Sequence, residues 1–160
     1  MIKIEKLKEA DAPAYYKLIR RVISNTPYYS KWAKKEESTG YPPEWIKKNL
    51  KNSKKLFLCA KDNNKVVGFL FGYVSTGMLH LFWAGVDPEY RKQGVAEKLM
   101  KKAETWAKNK VHKIWFDTRT NNKESIPLAK KLKYRKAATF KKHYYGQDFY
   151  IWEKLVKKSN

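Results

Sequence analysis

Between Met78 and Thr118 the chain reads as strand, loop, helix, strand, and this order constrains the fold more than any other feature. The apolar run Met78 to Val86 leads into Asp87-Pro88. A helix follows, with Val95, Leu99, Ala103, Trp106 and Ala107 along one face and Lys98, Lys101, Lys102 and Lys108 along the other. His112 to Thr118 is then a buried strand. Strands joined through a helix in this way need a parallel crossover. Upstream, Leu56 to Ala60, Val66 to Val74 and Met78 to Val86 are apolar runs separated by Asp62-Asn63-Asn64 and Ser75-Thr76-Gly77. Runs joined by such turns predict an antiparallel meander.

Elsewhere the signals are local. Ile2 and Ile4 alternate with Lys3 and Glu5, which predicts a half-buried strand over Met1 to Leu7. Asp11 followed by Pro13 predicts a helix capped near Asp11, with Tyr15, Leu18, Ile19 and Val22 at helical spacing, ending near Asn25 to Pro27. Residues 26–43 are the least regular stretch and hold Tyr28, Tyr29, Trp32, Glu36, Glu37 and Tyr41. An aromatic loop of that length is expected to be functional or a lid. Its acids, with Glu44, could attract an amine, or simply be helix-start acids. Pro43 opens a second helix to Asn52. The last part reads as a helix over Lys123 to Lys131, a strand over Ala137 to Lys141 and a strand over Gln147 to Val156. Pro127 should leave that helix short or kinked. With no repeat and no linker, residues 1–160 are expected to be one domain.

The charge says less than its size suggests. Lys and Arg number 36 against 15 Asp and Glu, a net +21. Such a surface attracts anions, but the lysines are scattered rather than gathered into a tail, so a solvated surface accounts for them. The 42% apolar and 15% aromatic content excludes intrinsic disorder. A single cysteine excludes an internal disulfide framework. No apolar run approaches the roughly 18 residues of a membrane span, and the N-terminus lacks a signal-peptide apolar region. A cytoplasmic protein is expected. His80, His112 and His143 lie apart, so no metal site is expected. Walker, GxGxxG, GxSxG and HExxH patterns are absent.

One local motif carries chemistry: Val86-Asp87-Pro88-Glu89-Tyr90-Arg91-Lys92-Gln93-Gly94-Val95-Ala96, which joins the strand to the helix. Gly94 and the small Ala96 let a ligand approach the backbone. Loop amides at a helix N-terminus suit a pyrophosphate, and Arg91 and Lys92 add charge. A plain tight turn would use the same residues. Arg91 to Ala96 resembles the (Arg/Gln)-x-x-Gly-x-(Gly/Ala) signature of the GNAT N-acetyltransferase superfamily. The resemblance extends from about Leu56 to Val156 in element order. Within it, Trp115-Phe116-Asp117-Thr118-Arg119-Thr120-Asn121-Asn122 is similar to the strand and loop of the ribosomal-protein and peptide N-terminal acetyltransferase branch. His143-Tyr144-Tyr145-Gly146-Gln147-Asp148 is similar to that branch's tyrosine loop.

The resemblance implies an α/β (α+β) GNAT fold: a mixed sheet of about seven strands, flanked by about four helices. The sheet is expected to splay between its central parallel strands, Met78 to Val86 and His112 to Thr118. It implies acetyl-CoA as cofactor. Ala84, Gly85 and Val86 would pair with the pantetheine arm, and the amides of Arg91, Lys92, Gln93, Gly94, Val95 and Ala96 would hold the pyrophosphate. Asn122 would reach the cofactor, cap the next helix, or do both. The reaction implied is direct acetyl transfer to a primary amine: a peptide N-terminus, a lysine or a small amine. Tyr144 matches the family's general acid, with Tyr145 as the fallback, and a strand amide near Val86 would meet the oxyanion. For the base, His80 and Asp117 both stay open, as does ordered water alone. Two positions depart from the family pattern: Ala129 stands where a tyrosine is common and Lys133 where a glycine is. The alternative from another class is a basic GNAT-fold module that binds nucleic acid or an acidic partner without catalysis. Expected partners are acetyl-CoA and an amine acceptor, with nucleic acid admitted but not required and no membrane, in a monomer or homodimer.

Overall fold

The computed structural model describes residues 1–156. Its sheet is covered on both faces, and the alternation along the strands shows how. In β2 (Lys55–Asp62), Leu56, Leu58 and Ala60 belong to one core while Phe57 and Cys59 belong to the other. In β3 (Lys65–Ser75), Val67 and Leu70 join the first core, and Val66, Phe69 and Phe71 join the second. Strands covered on both sides read as unbroken apolar runs. The first core is closed by α4 (Val95–Ala107) and α5 (Ser125–Lys131), and the second by α1 (Ala12–Ser24) and α3 (Pro43–Asn49). Leu99 of α4 and Tyr15 of α1 are almost wholly buried. A leucine so buried contributes about 1.5–3 kcal/mol.

The strand order is β1-β2-β3-β4-β5-β7-β6. β1 is Ile2–Lys6, β4 Met78–Val86, β5 Lys113–Arg119, β6 Arg135–Phe140 and β7 Phe149–Leu155. β2, β3 and β4 form the expected antiparallel meander, and β4 and β5 form the expected parallel pair. That pair is brief: Met78, Leu79 and His80 face Lys113, Ile114 and Trp115. Immediately beyond, Phe71 of β3 pairs with Trp83 while Gly72 pairs with Leu81, so Phe82 is an extra residue on β4. A bulge bends its strand, and this one lies where β4 and β5 part.

Residues 26–43 are more regular than their composition suggests. They contain α2 (Lys31–Glu37), capped by Ser30, whose hydroxyl accepts from the Ala33 amide at 3.1 Å. Among the described residues the α-helices therefore number five, where about four were expected. Asp11 stands at the N-cap position of α1 without capping it. Its carboxylate instead binds Lys61 Nζ at 2.9 and 3.0 Å, tying α1 to β2. α5 starts at Ser125, two positions later than expected, which places Pro127 in the first turn. A proline there breaks no helical hydrogen bond. Among the described residues no helix is long and apolar enough to cross a membrane. The end of the expected domain, residues 157–160, lies outside the described residues.

Candidate active site

Where β4 and β5 part, a cleft of about 890 Å³ opens, with Ala84, Gly85 and Val86 on one wall and Asp117, Thr118 and Arg119 on the other. From Leu81 onward β4 pairs with β3, and among the described residues it has no partner in β5. An interior strand edge of this kind can pair with an extended ligand. Gly85 is required sterically. A Cβ there would lie 2.7 Å from the Phe69 ring and 3.0 Å from Val22 Cγ1.

The loop after β4 is held from behind. Asp87 is almost fully buried, accepts from the Glu89 amide at 3.1 Å and pairs with Arg21 of α1 at 3.0 Å. Lys92 and Gly94 then take left-handed backbone, with φ of 60° and 75°. A Cβ on Gly94 would meet nothing within 4 Å, so the space before the N-terminus of α4 is open. Arg91, Lys92, Gly94, Val95 and Ala96 all line the cleft. Gln93 turns its side chain away and donates to the Glu89 carbonyl at 3.3 Å. Arg91 donates to the Val86 carbonyl at 3.4 Å and lies 3.6 Å from Glu124. Lys123 and Lys131 also line the cleft, against Glu124 and against Glu97, which Lys131 binds at 2.6 Å, so this end keeps a net positive charge, and the α4 dipole there also favours anions.

Asn122 lines the cleft and is nine-tenths buried. Its Oδ1 accepts from the Ser125 amide at 2.9 Å and the Glu124 amide at 3.3 Å, and its Nδ2 donates to Ser125 Oγ at 3.0 Å. Its side chain therefore organises the turn into α5.

The two candidate bases are neighbours. Asp117 lines the cleft. His80 lies behind it, almost fully buried, with its ring stacked on Trp115 at 3.7 Å between centroids and 3° between planes. Nδ1 of His80 is 3.1 Å from the Tyr73 hydroxyl, and Nε2 is 3.8 Å from Asp117 Oδ2. Tyr144 and Tyr145 both line the cleft from a single 3₁₀ turn, Tyr144–Gly146, rather than from an extended loop. They face different surroundings. Tyr144 packs on His143 and Phe149, and burial, then Asp117, push its hydroxyl above the ordinary phenol range. Tyr145 meets Trp32 edge-on at 5.5 Å, and after burial it is Glu37 and Glu36 that raise it.

A connection that the sequence does not announce closes this end. Gln147 donates to the Tyr28 carbonyl at 2.8 Å and accepts from Arg119 Nε at 2.8 Å. The Arg119 guanidinium lies over the Tyr29 ring at 3.6 Å and reaches Glu37 at 3.5 Å. Neither Arg119 nor Gln147 stands in a motif that signals pairing across 28 residues. The polar character of Gln147 beside an aromatic turn was the one available hint.

A cleft that offers a free strand edge and then a cationic helix N-terminus fits a long ligand with a pyrophosphate. Residues 20–134 match the acetyltransferase (GNAT) family. The chain belongs to that family. Among curated proteins it is similar to the [ribosomal protein bS18]-alanine N-acetyltransferase of Escherichia coli K12, with 25% identity over 91% of this chain and 88% of that protein. Among solved structures it resembles a GNAT-family acetyltransferase from Streptococcus pneumoniae (TM-score 0.86, 17% identity, 98% of this chain and 100% of that one). It also resembles the PaiA N-acetyltransferase of Thermoplasma acidophilum in complex with coenzyme A (TM-score 0.84, 20% identity, 98% and 99% covered). As a GNAT protein the chain is an acetyl-CoA-dependent N-acetyltransferase, and the open strand edge and the uncrowded Gly94 turn fit that cofactor. Its departure at Lys133 has a visible consequence. Lys133 takes a φ of 61°, the conformation that glycine adopts freely.

Proposed function

We propose that this GNAT enzyme acetylates the N-terminal amine of a polypeptide, with Asp117 as base and Tyr144 as acid. The observation that carries the reading is the convergence of Asp117 and Tyr144 at one end of a cleft whose other end is cationic. Acetyl-CoA, when bound, supplies the acyl group as a thioester.

The chain's own residues manage two protons. An attacking amine gives up a proton, and we assign its uptake to Asp117, which lines the cleft within electrostatic reach of Tyr144. His80 Nε2 stands 3.8 Å behind it, close enough to influence the carboxylate but beyond direct hydrogen-bond distance. Tyr144 is 45% exposed, and an ordinary phenol is already protonated at neutral pH, so Tyr144 has a proton to give to the departing sulfur. Arg91, Lys92 and the start of α4 bind phosphate charge far from these steps.

A polypeptide acceptor is supported by the similar proteins, which include alanine N-acetyltransferases of ribosomal proteins. The net charge of +21 disfavours strongly cationic acceptors. The test uses two hexapeptides with acetyl-CoA. One has a free alanine N-terminus and no lysine; the other is N-terminally blocked with one lysine. Mass spectrometry should find acetyl on the first. Acetyl on the blocked peptide alone, or on neither, refutes the reading.

A further inference from the structure

Between α1 and α2 lies a groove of about 530 Å³ that shares no lining residue with the cleft. Its volume is in the range of small-molecule sites. Lys17, Arg20 and Arg21 line it from α1, three and four residues apart and so on one face, and Lys34 and Lys35 line it from α2. Among the described residues no Asp or Glu lines it.

Elsewhere the chain supplies its cations with acids. On α4, Glu97 pairs with Lys101 and Lys131, and Glu104 pairs with Lys154. In the groove, Arg21 is held by Asp87 and Glu89 at 3.0 Å each, and Lys34 donates to the Ser24 carbonyl at 3.1 Å. Lys17, Arg20 and Lys35 have no carboxylate partner among the described residues. Arg20 lies 5.8 Å from the Tyr16 ring. Like charges at these spacings destabilise a helix, and like charges across a groove push its walls apart. An anion in the groove turns both repulsions into attractions.

α2 is the wall that can respond, because Ala33 is the one residue it buries. Its charge is divided: Lys34 and Lys35 line the groove, whereas Glu36 and Glu37 line the cleft. We propose that the groove binds a small anion bearing several phosphate groups, which bridges Lys17 and Arg20 to Lys35 and clamps α2 onto α1. Each phosphate offers oxygens to several Lys and Arg donors at once. The α1 wall from Lys17 to Ser24 is about 10 Å long, which suits a compact anion better than a strand of several nucleotides. The clamp also reaches the cleft, since α2 carries Trp32 against Tyr145 and Glu37 against Arg119. An anion in the groove therefore steadies that end of the cleft from outside it. The site depends on neither the acceptor nor the base and acid assigned above.

The test is calorimetry with tripolyphosphate on protein saturated with CoA, so that the cationic end of the cleft is occupied. Tripolyphosphate should bind about tenfold or more tightly than inorganic phosphate. Lys17→Glu combined with Lys35→Glu should weaken it about tenfold or more, with CoA affinity unchanged. Both side chains are exposed, so the double variant should fold. Hydrogen exchange gives a second readout. The amides of residues 31–38 should exchange more slowly when tripolyphosphate is bound to the wild-type protein, and not in the variant. A wild-type protein that binds no tripolyphosphate, a variant that binds it as tightly, or unchanged exchange across α2 with the site filled overturns the proposal. A single strand of about twelve uridines is the third probe. It should bind more weakly than tripolyphosphate. Tighter binding that the double variant abolishes would reassign the groove to a nucleic-acid backbone and overturn the small-anion reading.

Discussion

His80 Nε2 and Asp117 Oδ2 stand 3.8 Å apart, so two residues that compete for one role in the sequence sit in series in the fold. The Trp115 ring stacked on His80 keeps the imidazole behind the carboxylate. Asp117→Asn should lower kcat about 10²-fold, the usual range for a lost proton acceptor, with acetyl-CoA affinity unchanged by calorimetry. His80→Gln should lower it less. The double variant should be no slower than Asp117→Asn, because His80 acts through Asp117. Additive losses would place His80 on the amine itself.

Tyr144→Phe removes a proton donor and should also lower kcat about 10²-fold while acetyl-CoA affinity holds. Tyr145→Phe is the paired control, since Tyr145 meets Trp32 whereas Tyr144 meets His143 and Phe149. The pH profile adds a check. Burial raises the Tyr144 pKa above its reference of 10.0, so the protonated acid persists across the neutral range. Loss of the acid should therefore set in only above about pH 10. A falling limb near pH 8 that Tyr144→Phe abolishes would contradict this assignment.

Gly94→Glu should abolish acetyl-CoA binding. It puts bulk and negative charge where the turn is open and the α4 N-terminus favours anions. Forcing a side chain to a φ of 75° should lower stability by about 1–2 kcal/mol without unfolding the protein. Calorimetry and thermal melts read the two effects separately. Undiminished affinity would reduce the motif to a turn.

Lys133→Gly should stabilise the protein. Lys133 occupies the left-handed position just past α5, where its amide bonds to Lys130 O at 2.9 Å and the Tyr134 amide bonds to Ala129 O at 2.9 Å. This is the hydrogen-bond pattern for which glycine is preferred. A gain of about 1 kcal/mol, or roughly 2–4 °C in Tm for a chain of this size, is expected. A lowered Tm would mean that the lysine side chain contributes more than its backbone strain costs.

The parts of the fold written in local pattern were legible. Apolar runs between Asn and Gly turns gave the meander, and the two-sided helix Val95–Ala107 gave the parallel crossover. α2 was hidden because it buries little beyond Ala33, leaving almost no apolar face to count. In the cleft, the loop at Gly94 was readable because its steric demand is local. The Glu37–Arg119–Gln147 linkage was not, because it joins α2, β5 and the turn before β7, which only the folded chain brings together.

The brief pairing of β4 with β5 has a consequence for binding. Strands β1 to β4 form one slab, β5, β7 and β6 form another, and three residue pairs from Met78 to His80 are the ladder between them. Beyond His80 the two slabs share no ladder among the described residues, and a common packed core with the Arg119–Glu37 and Gln147–Tyr28 contacts holds them together instead. An extended ligand laid along the free β4 edge would supply backbone hydrogen bonds that the sheet does not make for itself there, so the missing rungs of the sheet are the binding surface.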